Sequence, residues 1–505
     1  MSLSRSKKFF FSTVTTALYQ IVLFLAGFIT PKVMLVYYSS EINGLVSSLM
    51  QFITYFNLVE AGLSGAAVYA LYKPLANGDH QETSSIVSAA RQFYYKAGYI
   101  FLCLITVLAL LYPFLIQSSL SNVEIALLVF VLGGNSFLEF FSLAKYRALL
   151  SADQKTYIIS LASIIHVILN TVIIYLCAIW GMNIVVLRAV ALISIFVRTL
   201  ILMCYVKKKY PYVDFNAKPK DNALDKRWDA LYMQVLGAIH TGSPVLILTF
   251  VVRNLPLISV FSIYNMVITG LHGIMSIFSS GLSAGFGDMI VRKEYSTLRK
   301  SYQEFEVAYL TIMTIIYTTS MVMILPFVDI YTTGITDANY HLPLVGFLIV
   351  FNAFVFNIKS PQAMLLIAAG LYKESRRQTT IQGALAVVLG VLLAFFWQIE
   401  GILAACIISN IYRDIDLLFF IPKHVTNLPI SNTLNRWLRS IICMIIVVLF
   451  FHIKEFNPTG YYEWTLYAIV VALTISIVCL ISDFCFDREA IIGTAKRLKM
   501  VLWKK

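Results

Sequence analysis

Apolar stretches of about twenty residues recur from one end of this sequence to the other. Each stretch is long enough to cross about 30 Å of hydrocarbon as an α-helix. None of them alternates apolar with polar residues, so they do not fit the strands of a membrane β-barrel. A backbone in lipid must satisfy its hydrogen bonds internally. The sequence therefore predicts an all-α integral membrane protein.

The composition agrees, because 59% of the 505 residues are hydrophobic and only 13% are charged. Soluble domains have about 45–50% apolar and about 25% charged residues. We predict about fourteen transmembrane helices. Their approximate limits are 9–36, 43–71, 93–117, 123–144, 156–180, 183–206, 229–252, 259–287, 304–328, 341–371, 378–398, 400–421, 436–453 and 463–485.

The basic residues predict the orientation of the chain in the membrane. Nearly all loop lysines and arginines fall on one side, whereas Arg253 and Lys454 are the basic residues of the other side. Because cytoplasmic loops carry the excess of Lys and Arg, both termini are expected in the cytoplasm. The net charge of +13 is then a consequence of topology. Its spread over many short segments argues against binding of nucleic acid.

An internal repeat divides the sequence. Residues 62–67 read GLSGAA and residues 281–286 read GLSAGF, and Pro113 and Pro326 each end a span on the outer side. The offset stays near about 215–220 residues throughout, which is typical of duplicated bundles. Two such bundles around a substrate path are the usual architecture of an alternating-access carrier.

The repeat predicts four parts. Each bundle has six helices, a basic linker joins the bundles, and two further helices and a basic tail follow them. The predicted limits are 1–206 for the first bundle, 207–228 for the cytoplasmic linker, 229–422 for the second bundle and 423–505 for the added helices and tail.

Charged residues within the spans are the first candidates for function, because charge in lipid is costly. The charges singled out within the predicted spans are Glu60 and five basic residues, which are Lys32, Arg188, Arg198, Lys359 and Arg413. Those near span ends could instead reach the interface, and Arg413 could pair locally with Asp414 or Asp416. Glu60 and Lys359 lie deeper. We expect both to line a central cavity and to interact, or else to pair separately within their own halves.

Span eight carries a polar stripe at helical spacing, formed by Asn265, Thr269, His272, Ser276, Ser279 and Ser283. Such a face suits a hydrated cavity that receives sugars. The alternative is hydrogen bonding between helices packed through small residues. His272 alone is more often a hydrogen-bonded structural residue than a proton carrier.

Enzyme motifs are absent from the sequence. It contains no GxxxxGK[ST] loop, no HExxH and no GxSxG, and its seven cysteines include no CxxC pair. The longest predicted outer loop has about a dozen residues, whereas surface chemistry usually needs a large loop holding carboxylates. We therefore expect no enzymatic activity, no cofactor and no metal site.

Residues 28–79 resemble the first two helices of the polysaccharide transporter family. These are flippases for O-antigen and capsule repeat units in the multidrug/oligosaccharidyl-lipid/polysaccharide exporter superfamily. The resemblance is carried by Pro31 late in helix one, Gly44-Leu45 at the start of helix two, and Glu60 followed by Gly62-Leu63-Ser64. The family commonly has Asp where this chain has Glu60, which keeps the charge.

The resemblance implies a MATE-like, V-shaped pair of six-helix bundles in the bacterial cytoplasmic membrane. It implies transfer of an undecaprenyl-diphosphate-linked oligosaccharide from the inner to the outer leaflet, with a polysaccharide polymerase and glycosyltransferases as expected partners. Diphosphate requires basic groups. The phosphate candidates are Lys32, Arg198, Lys359 and Arg413.

Three alternatives stay open. A multidrug antiporter shares the fold but usually has about twelve spans and acidic cavity residues. A lipid II flippase has fourteen spans and usually several Arg in helices one, two and eight, where this chain offers only Lys32. A membrane glycosyltransferase or polymerase is the alternative from a different class.

Overall fold

The computed structural model describes residues 5–60, 63–219, 227–280, 283–453, 456 and 458–503. This part of the chain is almost entirely α-helical and contains no strand. Its helices are α1 (Arg5–Tyr37), α2 (Ser40–Phe56), α3 (Leu63–Asn77), α4 (His80–Leu115), α5 (Asn122–Leu138), α6 (Ala144–Ala152), α7 (Thr156–Ile179), α8 (Ile184–Ala191), α9 (Ile193–Lys209), α10 (Arg227–Ile247), α11 (Leu255–Ser280), α12 (Ser283–Val291), α13 (Tyr295–Tyr331), α14 (Pro343–Ile358), α15 (Ser360–Ala368), α16 (Tyr372–Ile421), α17 (Ile430–His452), α18 (Tyr461–Phe486) and α19 (Arg488–Trp503). The predicted all-α fold is confirmed.

Twelve helical stretches of the described chain are long and apolar enough to cross a membrane. One of them, Tyr372–Thr426, has 55 residues. At about 1.5 Å per residue such a stretch is more than twice as long as the hydrocarbon is thick. Non-helical dihedral angles at Trp397 and Gln398 divide it, so it holds two predicted spans. The seventh predicted span corresponds to α10 and to the π-helical turn Leu248–Val252 that follows it.

The chain packs as two compact units, Met1–Ser259 and Val260–Lys505. In the first unit, α2 is bonded to the α10 segment. The Tyr55 hydroxyl donates to the Ala238 carbonyl at 3.0 Å, and the Ser48 and Thr249 hydroxyls lie 2.7 Å apart. The limits predicted at 206, 228 and 422 follow the sequence repeat and stay a prediction.

The same backbone turns recur in both halves of the chain. In four places a residue with positive φ lies two positions before the start of a long helix. One further residue with positive φ follows α7, and another interrupts α16. Positive φ is uncommon outside glycine, so its recurrence at matching places supports the repeat. The pairs are Gly78 with Lys293, Gln154 with Gly370, and Gly181 with Gln398.

Three spans are interrupted at a charged residue. The second span passes from α2 into a 3₁₀ turn that ends at Glu60, and α3 begins at Leu63. In the fourth span a π-helical turn, Glu139–Leu143, separates α5 from α6. Lys359 joins α14 to α15. Such interruptions are frequent at functional sites. Positions 61–62 and 281–282, which belong to the two Gly-Leu-Ser elements, lie outside the described residues.

The first part of the predicted linker is hydrogen-bonded to other segments of the first unit. Tyr210 donates to Asp153 Oδ2 at 2.5 Å and accepts from Lys155 Nζ at 2.8 Å. Arg91 Nη1 donates to the Phe215 carbonyl at 2.9 Å. Burial and the Asp153 carboxylate both raise the pKa of Tyr210, so this hydroxyl remains a donor at physiological pH. Residues 220–226 of the linker lie outside the described part.

The two added helices belong to the second unit. Buried side chains of α17 and α18, among them Val447, Val471 and Ile475, pack with Met323 of α13. The Trp464 indole donates to the Met323 carbonyl at 3.0 Å. Nonpolar burial and this bond attach α18 to α13.

A charge network fixes the other end of these helices. Arg436 on α17 contacts Glu306 Oε2 on α13 at 2.6 Å and Asp487 Oδ1 at 2.6 Å, and Arg439 also pairs with Asp487. Glu306 is 1% exposed and accepts further hydrogen bonds from Tyr302 and from Thr433. Burial of these charges is tolerated because each is paired.

We expect this network to make the stability of the protein depend on pH in the acidic range. Partial burial alone would raise the pKa of Asp487, but hydrogen bonds and charge from Arg436 and Arg439 outweigh it and hold the pKa below its ordinary value of 3.8. A lowered folded-state pKa stabilises above the unfolded value, and the contribution is lost as pH falls through the folded value. Thermal unfolding of wild type and Asp487→Asn in detergent should differ at neutral pH, and the gap should close below about pH 4. A gap that persists unchanged through that window would contradict this.

Candidate functional site

Four charged side chains meet inside the first unit. Arg147 Nη2 lies 3.2 Å from Glu60 Oε1, and Arg147 also pairs with Glu139. Arg198 Nη1 lies 3.9 Å from the same Glu139 oxygen. The four side chains are 12–25% exposed, and their formal charges balance. We call Glu60, Glu139, Arg147 and Arg198 the first-unit charge cluster.

Glu60 is therefore paired, but only through one of its oxygens. Its second oxygen, Oε2, is buried and has no hydrogen-bond partner in the described part of the chain. The Asn57 side-chain oxygen, one turn earlier, is in the same condition. A buried acceptor without a donor is costly. The Glu60 oxygen is suited to a proton, a cation or a hydroxyl donor from a ligand, and the Asn57 oxygen is suited to a cation or a hydroxyl donor.

Two members of this cluster were not among the predicted site residues. The predicted fourth span ends at 144, which places Arg147 in a loop, whereas the π-helical turn carries the helix on to Ala152. Arg147 consequently lies inside the membrane-spanning stretch Asn122–Ala152. The available signal was Glu139, an acid within an apolar run with a base two helical turns after it.

A second cluster of polar groups lies inside the second unit. Lys359 Nζ lies 3.1 Å from Asp414 Oδ1 and donates to Asn410 Oδ1 at 3.2 Å. The Lys359 and Asp414 side chains are only 8% and 7% exposed. Asn410 also accepts from Gln382 at 3.1 Å and donates to Asn352 at 3.0 Å. We call Lys359, Asp414, Asn410, Gln382 and Asn352 the second-unit charge cluster.

The two clusters join corresponding spans of the two units, with the positions of acid and base exchanged. In the first unit an acid on the fourth span, Glu139, faces a base on the sixth, Arg198. In the second unit a base on the tenth span, Lys359, faces an acid on the twelfth, Asp414. Glu60 and Lys359 thus each have a partner in their own unit, which is the second of the two arrangements that the sequence left open.

The remaining predicted phosphate candidates differ in environment. Arg413 pairs with Asp416 and donates to Ser375, so it has the local pairing that the sequence left open. Lys32 is partly buried on α1. Arg188, the fifth intramembrane base, has a buried Nε without a hydrogen-bond partner in the described chain.

The polar stripe of α11 is mixed in character. Thr269 and Ser276 are exposed, but their hydroxyls donate to carbonyls of their own helix, at Asn265 and Gly273. His272 Nδ1 instead lies 2.9 Å from the Asn357 amide nitrogen and 3.2 Å from the Tyr317 hydroxyl. His272 is therefore a hydrogen-bonded residue within the second unit. The side chains of Ser279 and Ser283 lie outside the described part.

In the two clusters, acids are paired with bases. Among the described residues, no group of three or more His, Cys, Asp or Glu side chains could hold a metal ion. Each cluster instead holds buried bases neutralised by acids. An incoming anion can take a base only if the carboxylate that releases it gains a proton or a cation.

No family model matches the chain, and no curated protein matches it. Among solved structures, lipid II flippase MurJ in an inward closed conformation is similar with a TM-score of 0.69 and 15% identity, over 95% of this chain and 99% of that chain. An inward-facing multidrug resistance MATE family transporter of the MOP superfamily matches with a TM-score of 0.65 and 15% identity, over 85% and 98%. A mutant of the Vibrio cholerae MATE transporter VcmN matches with 0.56 and 13%, over 84% and 98%.

At these identities the likeness is one of fold. Each match extends over nearly the whole of the other chain and most of this one. Fold alone does not fix an activity. The protein is a multi-pass membrane protein whose all-helical fold is similar to that of lipid II flippase MurJ and of MATE family transporters.

Proposed function

We propose that the protein is a flippase that moves polyprenyl-diphosphate-linked oligosaccharide repeat units across the bacterial cytoplasmic membrane by alternating access. The observation that carries this is the extent of the likeness. The match to the lipid II flippase covers 95% of this chain, whereas the two multidrug transporters cover 85% and 84%. The difference in coverage is about as many residues as α17 and α18 contain, which supports the longer architecture.

The charge clusters support a diphosphate as part of the substrate. Arg and Lys bind phosphate oxygens strongly, and Arg does so with two parallel hydrogen bonds. The first-unit charge cluster holds Arg147 and Arg198 against Glu60 and Glu139. When diphosphate takes an arginine, the released carboxylate must be neutralised. Glu60, with its open oxygen, is the group that we propose takes up a proton or cation in that step.

A lipid II flippase is the second candidate, because the similar protein with the most extensive of these three matches is a lipid II flippase. The two candidates share the diphosphate and the polyprenyl chain and differ in the glycan. A multidrug antiporter fits less well, because the acids of the two charge clusters, Glu60, Glu139 and Asp414, are each paired with a base. An acid already paired in this way is a weaker site for a cationic drug.

Leaflet transfer in proteoliposomes tests the proposal. Purified protein should expose a fluorescent polyprenyl-diphosphate oligosaccharide to an impermeant quencher about tenfold faster than empty liposomes do. Arg292→Gln is a matched control, because Arg292 and its partner Asp288 are 65% and 59% exposed. Transfer of lipid II at a higher rate than the oligosaccharide would favour the second candidate. No transfer of either lipid, together with ion-driven efflux of a cationic dye, would overturn the proposal in favour of an antiporter.

A further inference from the structure

A cavity of about 880 Å³ opens at the end of the second unit where α18 passes into α19. It lies between the first turns of α13 and α17 and the start of α19. Four basic side chains line it, Lys300, Arg436, Arg439 and Arg488, together with acids that include Glu304 and Glu489. Its volume is within the range of about 300–1,000 Å³ that is common for ligand sites.

Arg439, which lines this cavity, has donors without acceptors. One of its nitrogens pairs with Asp487, and its guanidinium lies over the Phe486 ring at 5.2 Å. Its other two nitrogens, Nε and Nη1, are buried and have no acceptor in the described part of the chain. A guanidinium in this condition requires an acceptor, because buried charged donors are costly to leave unsatisfied. Nε and Nη1 donate at different edges of the guanidinium, so each requires its own acceptor, and Nη1 can donate to one phosphate oxygen.

The rim of the cavity is apolar and faces outward. Leu438 is 48% exposed and Phe486 is 75% exposed, and both line the cavity. Along α17 the exposed face continues through Ile442 and Ile445. An acyl chain can lie on this face while the headgroup enters between the arginines. A free phosphate would leave the rim unused.

The charges of the lining indicate which headgroup fits. The bases are nearly balanced by carboxylates, so a net anion would be drawn in only weakly. Glu304 is 5% exposed, and Glu489 on α19 also lines the cavity. We propose that this cavity binds a phospholipid whose headgroup carries both phosphate and ammonium, with the phosphate on Arg439 and the ammonium toward Glu304 and Glu489. This site is separate from both charge clusters and does not depend on the transported substrate.

Titration of the purified full-length protein in detergent tests the site. The probes are dioctanoyl phosphatidylethanolamine, dioctanoyl phosphatidylglycerol, dioctanoylglycerol and inorganic phosphate, and the measurement is the shift of the thermal unfolding midpoint with concentration. We expect phosphatidylethanolamine to stabilise the protein at the lowest concentration. Arg439→Gln should weaken its apparent affinity about tenfold or more.

Controls separate the site from general lipid effects. Arg292→Gln, an exposed Arg outside the cavity, should titrate like wild type. Lys300 is an exposed residue of the cavity lining. Lys300→Gln should weaken the apparent affinity for phosphatidylethanolamine about threefold, and it replaces Arg439→Gln as the test variant if that protein does not fold. Equal stabilisation by dioctanoylglycerol, or an unchanged titration in both lining variants, would overturn the site. If inorganic phosphate stabilises the protein as strongly as phosphatidylethanolamine does, the ligand is not a lipid. If phosphatidylglycerol stabilises it equally, the proposed contact with the ammonium group is wrong.

Discussion

Replacing Lys359 by methionine is expected to destabilise the protein by about 3–5 kcal/mol, because it leaves Asp414 as a buried charge without its counter-ion. The Asp414 side chain is 7% exposed, so water screens the remaining charge poorly. Asn410 also loses a donor, since Lys359 donates to its side-chain oxygen at 3.2 Å. Methionine matches the length of the lysine stem, so a cavity contributes little to the loss. The free energy of unfolding in mixed micelles is the measurement.

A partner substitution distinguishes charge from packing. Lys359→Met combined with Asp414→Asn removes both charges and should recover most of the lost stability. A loss in the double variant as large as in the single one would contradict the ion-pair interpretation. Arg292→Gln breaks an exposed i,i+4 pair and should cost no more than about 0.5 kcal/mol.

The sequence was enough to find Lys359 but not its partner. Its depth in an apolar run identifies it as a charge in lipid, and the repeat assigns it to the second half. The sequence offers Asp414 or Asp416 as a local partner of Arg413. Arg413 bonds to Asp416 and Ser375, and Asp414 faces Lys359 instead. Which side of a helix faces another helix is set by tertiary packing, and one sequence with apolar residues on every face gives little information about it.

Helix interruptions explain the other differences. The π-helical turn from Glu139 adds residues to the fourth span and rotates the helix beyond it, which is why Arg147 reaches Glu60 and Glu139. Apolar length alone predicts that a helix crosses the membrane, and it does so well here. It carries no information about a local change of helical pitch. The recurrent turns, such as Gln154 and Gly370, were visible only in the backbone.

Arg147→Gln should have the largest effect in the first unit. Arg147 pairs with both Glu60 and Glu139, so its removal leaves two acids near one another with Arg198 as the remaining base of the cluster. We expect a loss of about 3 kcal/mol, at the low end for a broken buried pair because the side chains are about a quarter exposed. Transport should fall at least about tenfold, as a consequence of both lower stability and a missing phosphate donor.

Two double variants then separate the structural role of Glu60 from its proposed function. Adding Glu139→Gln to Arg147→Gln leaves Glu60 as the remaining acid, without a paired base, whereas adding Glu60→Gln leaves Glu139 at 3.9 Å from Arg198. The second combination should therefore recover more of the stability. Only the first keeps the Glu60 carboxylate, and only that variant should regain part of the transport rate. Measuring unfolding and leaflet transfer on the same preparations makes the comparison direct. Equal recovery of transport in both would mean that Glu60 serves only to balance Arg147, and the proposed uptake of a proton or cation at its open oxygen would be wrong.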